Sequence, residues 1–481
     1  MVDTLIIGGG IVGTCIAREL SRYEGTVLIV EKENDVANHQ TIANSAIIHS
    51  GHDPIPKTLK ARLCVEGNAM YELMEQQLHI PILRTGAYVV ATTSEEEEIL
   101  KVLLERSIEN GVLGATLLDA KQARVLEPNL SLQTQKVLSL PSTKVTFPWE
   151  VAIRAMQNAI RNGAEFRKNT QVSSIRKIDN GFEVATTNGE IILAKHVVNA
   201  AGVYSGVVAG MIEKNVPYTI TPRRGEYFVL DRRVKGFVQH VLYPVPTKAG
   251  KGVLVVPQTH GNILLGPTST HQEEPERVGT TREGLDYIRK QAVKLAENIP
   301  FDQIIRSFSG IRATSTAEDF YIKESNEVKG FFHAGGIDSP GLTAAPAIAK
   351  CMVEEVMGGS ISLRKKTYFD PIEPEKKAFH DLPDDEKKAL LRRDPRYGNI
   401  VCKCEKITEA EVIEAIHGPL GSDTIKGIKK RARVGSGICQ GGYCEETLLK
   451  IIARETKKRL DEINYYALNT PILIEETKVK R

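Results

Sequence analysis

The chain lacks the features that mark secreted disulfide-bonded proteins, membrane-spanning proteins and nucleic-acid-binding proteins. It has only seven cysteines among 481 residues, and its net charge is +3. Few cysteines in an odd number argue against a disulfide framework. A nearly balanced charge gives no broad positive field for nucleic acid or an anionic membrane. No uncharged apolar run reaches about 18 residues, so we predict no transmembrane segment and no nucleic-acid partner.

The N-terminal segment MVDTLIIGGG has no basic residue ahead of its apolar run, which is not typical of a secretory signal. We therefore expect a cytoplasmic protein, with any peripheral membrane contact made through a partner. Apolar residues make up 41% and charged residues 26% of the chain, as in ordinary globular proteins. The length predicts two or three units, each with its own core.

The first 31 residues carry the pattern of a dinucleotide-binding unit. VDTLII at 2–7 predicts a buried strand, and Gly8, Gly10 and Gly13 then form G-x-G-x-x-G ahead of a segment with helical spacing. A second apolar strand follows and ends at Glu31. These glycines permit a tight turn, close approach of a pyrophosphate and close packing of helix on strand, while the acid suits a ribose. The pattern alone does not separate FAD from NAD.

Four of the seven cysteines fall in two close pairs near the C-terminus. Cys402 and Cys404 form C-x-C, and Cys439 and Cys444 form C-x4-C. Four thiolates can bind zinc or an iron–sulfur cluster, but a C-x-C arm is unfavourable for zinc ribbons and fingers. The charged, proline-punctuated segment 371–397 predicts a linker with one short helix ahead of this unit. Zinc, an iron–sulfur cluster and free cysteines remain open at this point.

Six further motifs, in their order along the chain, resemble the D-amino acid oxidase-like superfamily of FAD-dependent oxidoreductases. They are NHQTIANSAIIHSGH (38–52), HVVNAAGVYS (196–205), TPRRGEYFVL (221–230), ILLGPTS (263–269), SGIRATS (309–315) and FHAGGIDSPGLTAAPAIA (332–349). The chain looks most similar to the glycerol-3-phosphate dehydrogenase and L-2-hydroxyglutarate oxidase branch. This resemblance implies an α/β (α+β) fold. We expect a Rossmann-like FAD-binding domain over 1–370, with substrate-side insertions of mixed sheet at about 80–145 and 205–305.

The resemblance also implies roles for particular residues. His49 would be the base beside the flavin and Arg312 the side chain that binds an anionic substrate group. The same resemblance implies residues for each part of FAD. The adenosine half would be held by Gly8, Gly10, Gly13 and Glu31, with the adenine against Val172, and the pyrophosphate and flavin would lie near Thr41, Asn44 and Ser45. A turn that closes over the cofactor would contain Ala201 and Gly202, and the flavin pyrimidine edge would lie by the amides of Gly341, Leu342 and Thr343.

The C-terminal unit, 398–455, resembles the bacterioferritin-associated ferredoxin-like [2Fe-2S] domain, a small helical domain. That resemblance implies that Cys402, Cys404, Cys439 and Cys444 ligate a [2Fe-2S] cluster. The tail at 456–481 would pack on this domain or reach a neighbour. Such fusions resemble the large subunit of anaerobic-type glycerol-3-phosphate dehydrogenases, which implies partners that are further flavin or iron–sulfur subunits.

Together these resemblances imply a dehydrogenase that oxidises a small anionic hydroxy compound, with sn-glycerol 3-phosphate first among the candidates. A 2-hydroxy acid or amino acid dehydrogenase is the alternative enzyme, and an electron-transfer subunit is the alternative of another class. Lys57, Arg223 and Arg224 are additional cations that would favour a phosphate dianion if they lay near Arg312.

Overall fold

The computed structural model describes residues 1–247 and 252–475. The last six positions of the predicted tail therefore lie outside the described residues. The strands are β1 Val2–Ile7, β2 Val27–Val30, β3 Ile47–Ile48, β4 Ile82–Leu83, β5 Ala87–Ala91, β6 Thr116–Asp119, β7 Lys136–Ser139, β8 Lys144–Thr146, β9 Glu165–Arg167, β10 Val172–Ile178, β11 Gly181–Thr186, β12 Ile191–Asn199, β13 Ile220–Leu230, β14 Val241–Pro244, β15 Leu254–Pro257, β16 Ile263–Gly266, β17 Thr270–His271, β18 Ile304–Ser315, β19 Tyr321–Glu324, β20 Phe331–Gly335, β21 Ile400–Cys402 and β22 Ile407–Thr408.

The α-helices are α1 Ile11–Leu20, α2 Leu59–Leu78, α3 Ser94–Glu109, α4 Ala120–Leu126, α5 Pro148–Arg161, α6 Ser205–Ala209, α7 Arg282–Ala292, α8 Gly341–Lys350, α9 Asp384–Arg393, α10 Glu409–His417, α11 Ile425–Ala432 and α12 Glu445–Thr456. A π-helical turn, Cys351–Met357, continues α8. Within the described ranges, no helix is long and apolar enough to cross a membrane.

The first sheet contains eight strands, and β1 lies near its centre. Strands β12 and β2 flank β1 in parallel, β9 continues beyond β2, and β20 adds in parallel to β12. The last four residues of β1 are buried, as expected for a parallel strand covered on both faces. Helices α1, α2, α5 and α8 pack against one another around the core on one side of this sheet. The predicted Rossmann-like fold is confirmed.

The second sheet contains nine strands and is almost entirely antiparallel. Its order is β17-β13-β16-β15-β14-β5-β7-β6, with β18 on the free side of β13, and only β14 and β5 run parallel. Its strands come from 87–139 and 220–315, which overlap the two predicted insertions. The predicted mixed α/β architecture with an interleaved second sheet is thus confirmed.

The C-terminal residues form a small helical unit with its own apolar core. Helices α10, α11 and α12 enclose a cluster that includes Val412, Ile428 and Ile452, and the short β21–β22 pair lies beside them. The segment predicted as a linker contains α9. Ahead of α9, this segment is fixed to the first domain, since Arg161 forms an ion pair with Glu373 at 3.1 Å.

The glycine turn after β1 brings α1 into backbone contact with the strand end. A Cβ added at Gly13 would lie 2.0 Å from the carbonyl oxygen of Gly8. Gly8 itself has a φ of 114°, a conformation that other residues rarely adopt. Gly13 therefore determines how closely the start of α1 approaches the sheet.

We expect Gly13→Ala to destabilise the protein, although alanine is otherwise favoured in a helix by roughly 0.5–1 kcal/mol. The clash is with backbone, so α1 must move, and overpacking of this kind costs about 1–3 kcal/mol. Denaturant unfolding measures the difference. Gly279→Ala is the control, because a Cβ at Gly279 meets no atom within 4 Å. Equal stability of the two variants would contradict the clash expected between a Cβ at position 13 and the Gly8 carbonyl oxygen.

Candidate functional site

A cavity of about 990 Å³ lies between the two large sheets. Its size is that of a site for a large organic cofactor and a small substrate. The predicted residues that line it are Gly8, Gly10, Glu31, Thr41, Asn44, Ser45, His49, Val172, Ala201, Gly202, Arg312, Gly341 and Leu342. Segments far apart in the sequence, each named in the analysis above, therefore meet around one space.

Two of the predicted residues, Gly13 and Thr343, do not line the cavity. Gly13 lies beneath the glycine turn, as described above. Thr343 is fully buried, and its hydroxyl accepts a hydrogen bond of 2.9 Å from the backbone N–H of His49. Both residues lie behind the cavity wall, and the place of the Thr343 amide at the flavin pyrimidine edge stays a prediction.

One end of the cavity has the donor and acceptor groups that the adenosine half of FAD needs. The N-terminus of α1 faces it, where backbone N–H groups favour phosphate. Glu31 accepts hydrogen bonds from the amides of Gly9, at 2.6 Å, and Glu33, at 2.9 Å. A carboxylate has about four acceptor positions, so two remain for ribose hydroxyls. Burial raises the pKa of Glu31, and these donors offset part of that effect.

At the other end, His49 is held by contacts to both its backbone and its ring. Its carbonyl oxygen accepts a 2.9 Å hydrogen bond from the side-chain amide of Asn68, and its backbone N–H donates to Thr343 as described above. Its Nδ1 atom lies 3.0 Å from the Tyr243 hydroxyl. Burial raises the pKa of Tyr243 well above its ordinary value, so this hydroxyl stays protonated. This contact of Tyr243 was not predicted, because nothing in the sequence of an apolar strand indicates that its tyrosine hydroxyl lies beside a particular histidine.

Three arginines line the cavity, and two of them, Arg223 and Arg312, face each other on neighbouring strands. Arg312 of β18 lies directly opposite Arg223 of β13 in the antiparallel register. Arg312 donates to the carbonyl oxygen of Thr268 at 3.2 Å, and Arg223 lies 2.9 Å from His271 Nε2. Among the described residues, neither arginine forms a salt bridge. Like charges opposite one another are unfavourable, so this pair is poised to accept an anion.

The other two cations named from the sequence differ in their placement. Arg224 lines the cavity but forms an ion pair with the buried carboxylate of Glu226 at 3.2 Å. Lys57 does not line the cavity, and its ammonium group is 3.8 Å from Glu109. Arg223 is therefore the additional cation that joins Arg312.

The four C-terminal cysteines come together as two sulfur pairs. The sulfur atoms of Cys404 and Cys439 are 3.8 Å apart. The neighbouring Cys444 thiol, followed by backbone amides, lowers the pKa of the Cys402 thiol to about 6. Among the described residues, no group of three or more His, Cys, Asp or Glu side chains is placed so that it could hold a metal ion. Two pairs fit a cluster in which each iron takes two protein ligands.

Comparisons with known proteins agree with an FAD-binding domain followed by a [2Fe-2S] domain. A family model described as "FAD dependent oxidoreductase" matches residues 3–355, and a "BFD-like [2Fe-2S] binding domain" matches residues 400–454. A glycerol 3-phosphate dehydrogenase of Caloramator mitchellensis is 39% identical over 99% of both chains. A glycerol 3-phosphate oxidase of Mycoplasma genitalium is 31% identical over 77% of this chain and 97% of its own.

Among solved structures, the FAD-bound L-alpha-glycerophosphate oxidase of Mycoplasma pneumoniae superposes with a TM-score of 0.74 at 29% identity, covering 78% of this chain and 99% of that one. The predicted cofactors, FAD and a [2Fe-2S] cluster, are confirmed by the two family matches. The chain therefore belongs to the FAD-dependent oxidoreductase family and carries a BFD-like [2Fe-2S] domain on the C-terminal side of its oxidoreductase domain.

Proposed function

We propose that this enzyme oxidises sn-glycerol 3-phosphate to dihydroxyacetone phosphate and passes the electrons through its [2Fe-2S] cluster to a partner acceptor. The observation that carries the proposal is a single cavity with a fixed histidine and two arginines that have no carboxylate partner among the described residues. The names of the relatives that match over most of the chain support the same substrate.

In the proposed reaction, His49 takes the hydroxyl proton of the substrate alcohol. Bound FAD would supply the acceptor for the hydride of the same carbon, and loss of this hydride and of the hydroxyl proton converts the alcohol to a ketone. The hydroxyl oxygen of Tyr243 can accept a hydrogen bond from the Nδ1–H of His49, and the tyrosine keeps its own proton. In that arrangement Nε2 is the basic atom. The backbone contacts to Thr343 and Asn68 keep the imidazole from moving away from the cavity.

Arg312 and Arg223 would hold the phosphate. A phosphate dianion can accept charge-assisted hydrogen bonds from two guanidinium groups and cancels the repulsion between them. A substrate with one carboxylate supplies less charge. A second candidate is L-2-hydroxyglutarate, because L-2-hydroxyglutarate dehydrogenases of cattle and humans are 34% identical over 56% of this chain. A dicarboxylate would also satisfy two arginines.

We propose that Cys402, Cys404, Cys439 and Cys444 are the cluster ligands, with one sulfur pair on each iron. The cluster carries single electrons, so it suits an acceptor that is a further flavin or iron–sulfur subunit rather than oxygen. Backbone amides of Gly435 and Glu405 bond to Cys402, and those of Gly441 and Tyr443 bond to Cys439. Such hydrogen bonds raise the reduction potential of a cluster.

Anaerobic mixing with substrate tests the function directly. Bleaching of the flavin absorbance by sn-glycerol 3-phosphate, at concentrations where L-2-hydroxyglutarate, lactate and amino acids have little effect, is the expected result. Bleaching by L-2-hydroxyglutarate instead would select the second candidate. No bleaching by any of them would show an electron-transfer subunit and refute the proposed reaction.

We expect His49→Gln to lower the rate of flavin reduction by about 10²- to 10⁴-fold, the usual contribution of a general base. Anaerobic stopped-flow absorbance measures this rate, with FAD content checked in parallel. His417→Gln is the control, because His417 lies on the C-terminal helical unit and pairs with Glu455.

We expect Arg223→Gln to raise KM for sn-glycerol 3-phosphate by roughly 10- to 100-fold, which corresponds to one charge-assisted hydrogen bond of about 1.5–3 kcal/mol. The kcat/KM ratio of glycerol 3-phosphate to lactate should fall, because a monoanion needs one arginine only. Steady-state kinetics with an artificial electron acceptor gives both values. Arg282→Gln, an exposed change on α7, is the control; an unchanged ratio would remove Arg223 from the phosphate site.

We expect serine at any one of the four paired cysteines to abolish stable cluster binding, while Cys351→Ser, in the buried core, should leave it intact. Iron and acid-labile sulfide analysis together with the visible spectrum measures the cluster. Flavin reduction by substrate should persist in all five variants, since the cluster acts after it. Equimolar zinc without sulfide in the unaltered protein would contradict the assignment.

A further inference from the structure

The loop that follows Glu31 forms one wall of the cofactor cavity. Residues 32, 33 and 37–41 line it, at the end where the adenosine half of FAD binds. The loop is joined to the glycine turn by two bonds. The backbone N–H of Ala37 donates to the Gly9 carbonyl at 3.0 Å, and Thr41 Oγ1 accepts from the N–H of Ile11, the first residue of α1, at 3.0 Å. The position of the loop therefore affects the shape of the phosphate site.

Lys430, on α11 of the C-terminal domain, binds this loop at three points. Its ammonium group lies 2.8 Å from Asp35 Oδ2, 2.7 Å from the Val36 carbonyl oxygen and 2.8 Å from Asn38 Oδ1. An ammonium group has three donors, and all three are used on consecutive parts of one loop. The Lys430 side chain is only 2% exposed, so water does not compete for these bonds.

Arg431 binds the same carboxylate from the next position of α11. Its two terminal nitrogens lie 2.7 and 2.8 Å from the two Asp35 oxygens, which is bidentate geometry. Its Nε atom donates to the Leu420 carbonyl at 2.7 Å, within the C-terminal domain. Asp35 is 3% exposed and thus has two cations from another domain as its counter-charges.

From these contacts we infer that the [2Fe-2S] domain completes the FAD site, and that Asp35 is the positioning residue through which it does so. If α11 withdrew, the Asp35 carboxylate would be a buried charge without a counter-ion, which proteins do not tolerate. Asp35 and its neighbours would then have to move toward water, and the cavity wall at 37–41 would move with them. Occupancy of the FAD site and docking of the cluster domain are therefore thermodynamically coupled.

Reciprocity of binding free energies gives this coupling two measurable sides. Loss of the Asp35 contacts should weaken FAD binding in a protein that remains folded. Bound FAD should in turn raise the temperature at which the cluster domain unfolds. The inference concerns cofactor binding and is independent of which substrate is oxidised.

The experiment measures the dissociation constant of FAD for the full-length protein, by flavin fluorescence, at a temperature well below its unfolding. Asp35→Asn removes the charge but keeps the shape, and we expect its dissociation constant to rise about 5- to 150-fold, the range typical of coupling between sites. Lys430→Met, which keeps the bidentate pair of Asp35 and Arg431, should give a smaller rise. It also serves as the second variant if Asp35→Asn does not fold.

Ile428→Val is the matched control, because Ile428 is a fully buried core residue of the same helix that is not among the residues bonded to the loop. It should lower the thermal midpoint without changing the FAD dissociation constant. In the unaltered protein, saturating FAD should raise the temperature at which the visible absorbance of the cluster is lost. In Asp35→Asn this rise in temperature should be smaller. If Asp35→Asn and Lys430→Met behave like Ile428→Val in both measurements, the contacts are only structural and the inference is wrong. Flavin bleaching by glycerol 3-phosphate in the unaltered protein is unaffected by that outcome.

Discussion

Direct backbone contact between the loop that carries His49 and strand β18 determines the geometry of the site. A Cβ added at Gly310 would lie 1.8 Å from the carbonyl oxygen of Ala43, so no side chain separates the two segments. Two positions along β18 from Gly310 lies Arg312, and six positions along the loop from Ala43 lies His49. Because the segments touch at backbone level, the backbone positions of Arg312 and His49 are held near each other, and holding reacting groups in proximity is one source of enzymatic rate enhancement.

The structure uses pairs of cations in two different ways. Lys430 and Arg431 share a carboxylate that the protein itself supplies, and that carboxylate is buried with them. Arg223 and Arg312 face each other across two strands, and within the described chain no carboxylate pairs with them. The first pair is neutralised within the protein and holds a loop. The second pair has no such partner, so an anion bound between its two guanidinium groups would relieve their repulsion.

The sequence predicts best what depends on short stretches of chain. The strand, glycine turn, helix and terminal Glu31 form a local unit, and the C-x-C and C-x4-C spacings identify the cysteines without any knowledge of the fold. The sequence does not show that Arg223 and Arg312 are cross-strand neighbours, since 89 positions separate them and the strand register decides it. Asp35 and Lys430 are farther apart still. Lys57 was named for its charge alone and lies outside the cavity, because charge carries no information about position.

Strands β13 and β18 connect the end of the cavity that contains Arg223 and Arg312 with the loop that carries Cys404. Arg223 and Arg312 mark one end of this antiparallel pair, and Tyr227 near the middle bonds to Ser45 of the His49 loop at 3.2 Å. Just beyond the other end of β13, Arg232 donates to the Cys404 carbonyl at 2.5 Å. At about 3.3 Å per residue, the part of β13 from Tyr227 to its end at Leu230 spans roughly 10 Å, and Arg232 lies two positions farther along the chain. Eleven paired positions make these two strands a stiff connection between the two arginines and the loop that carries Cys404.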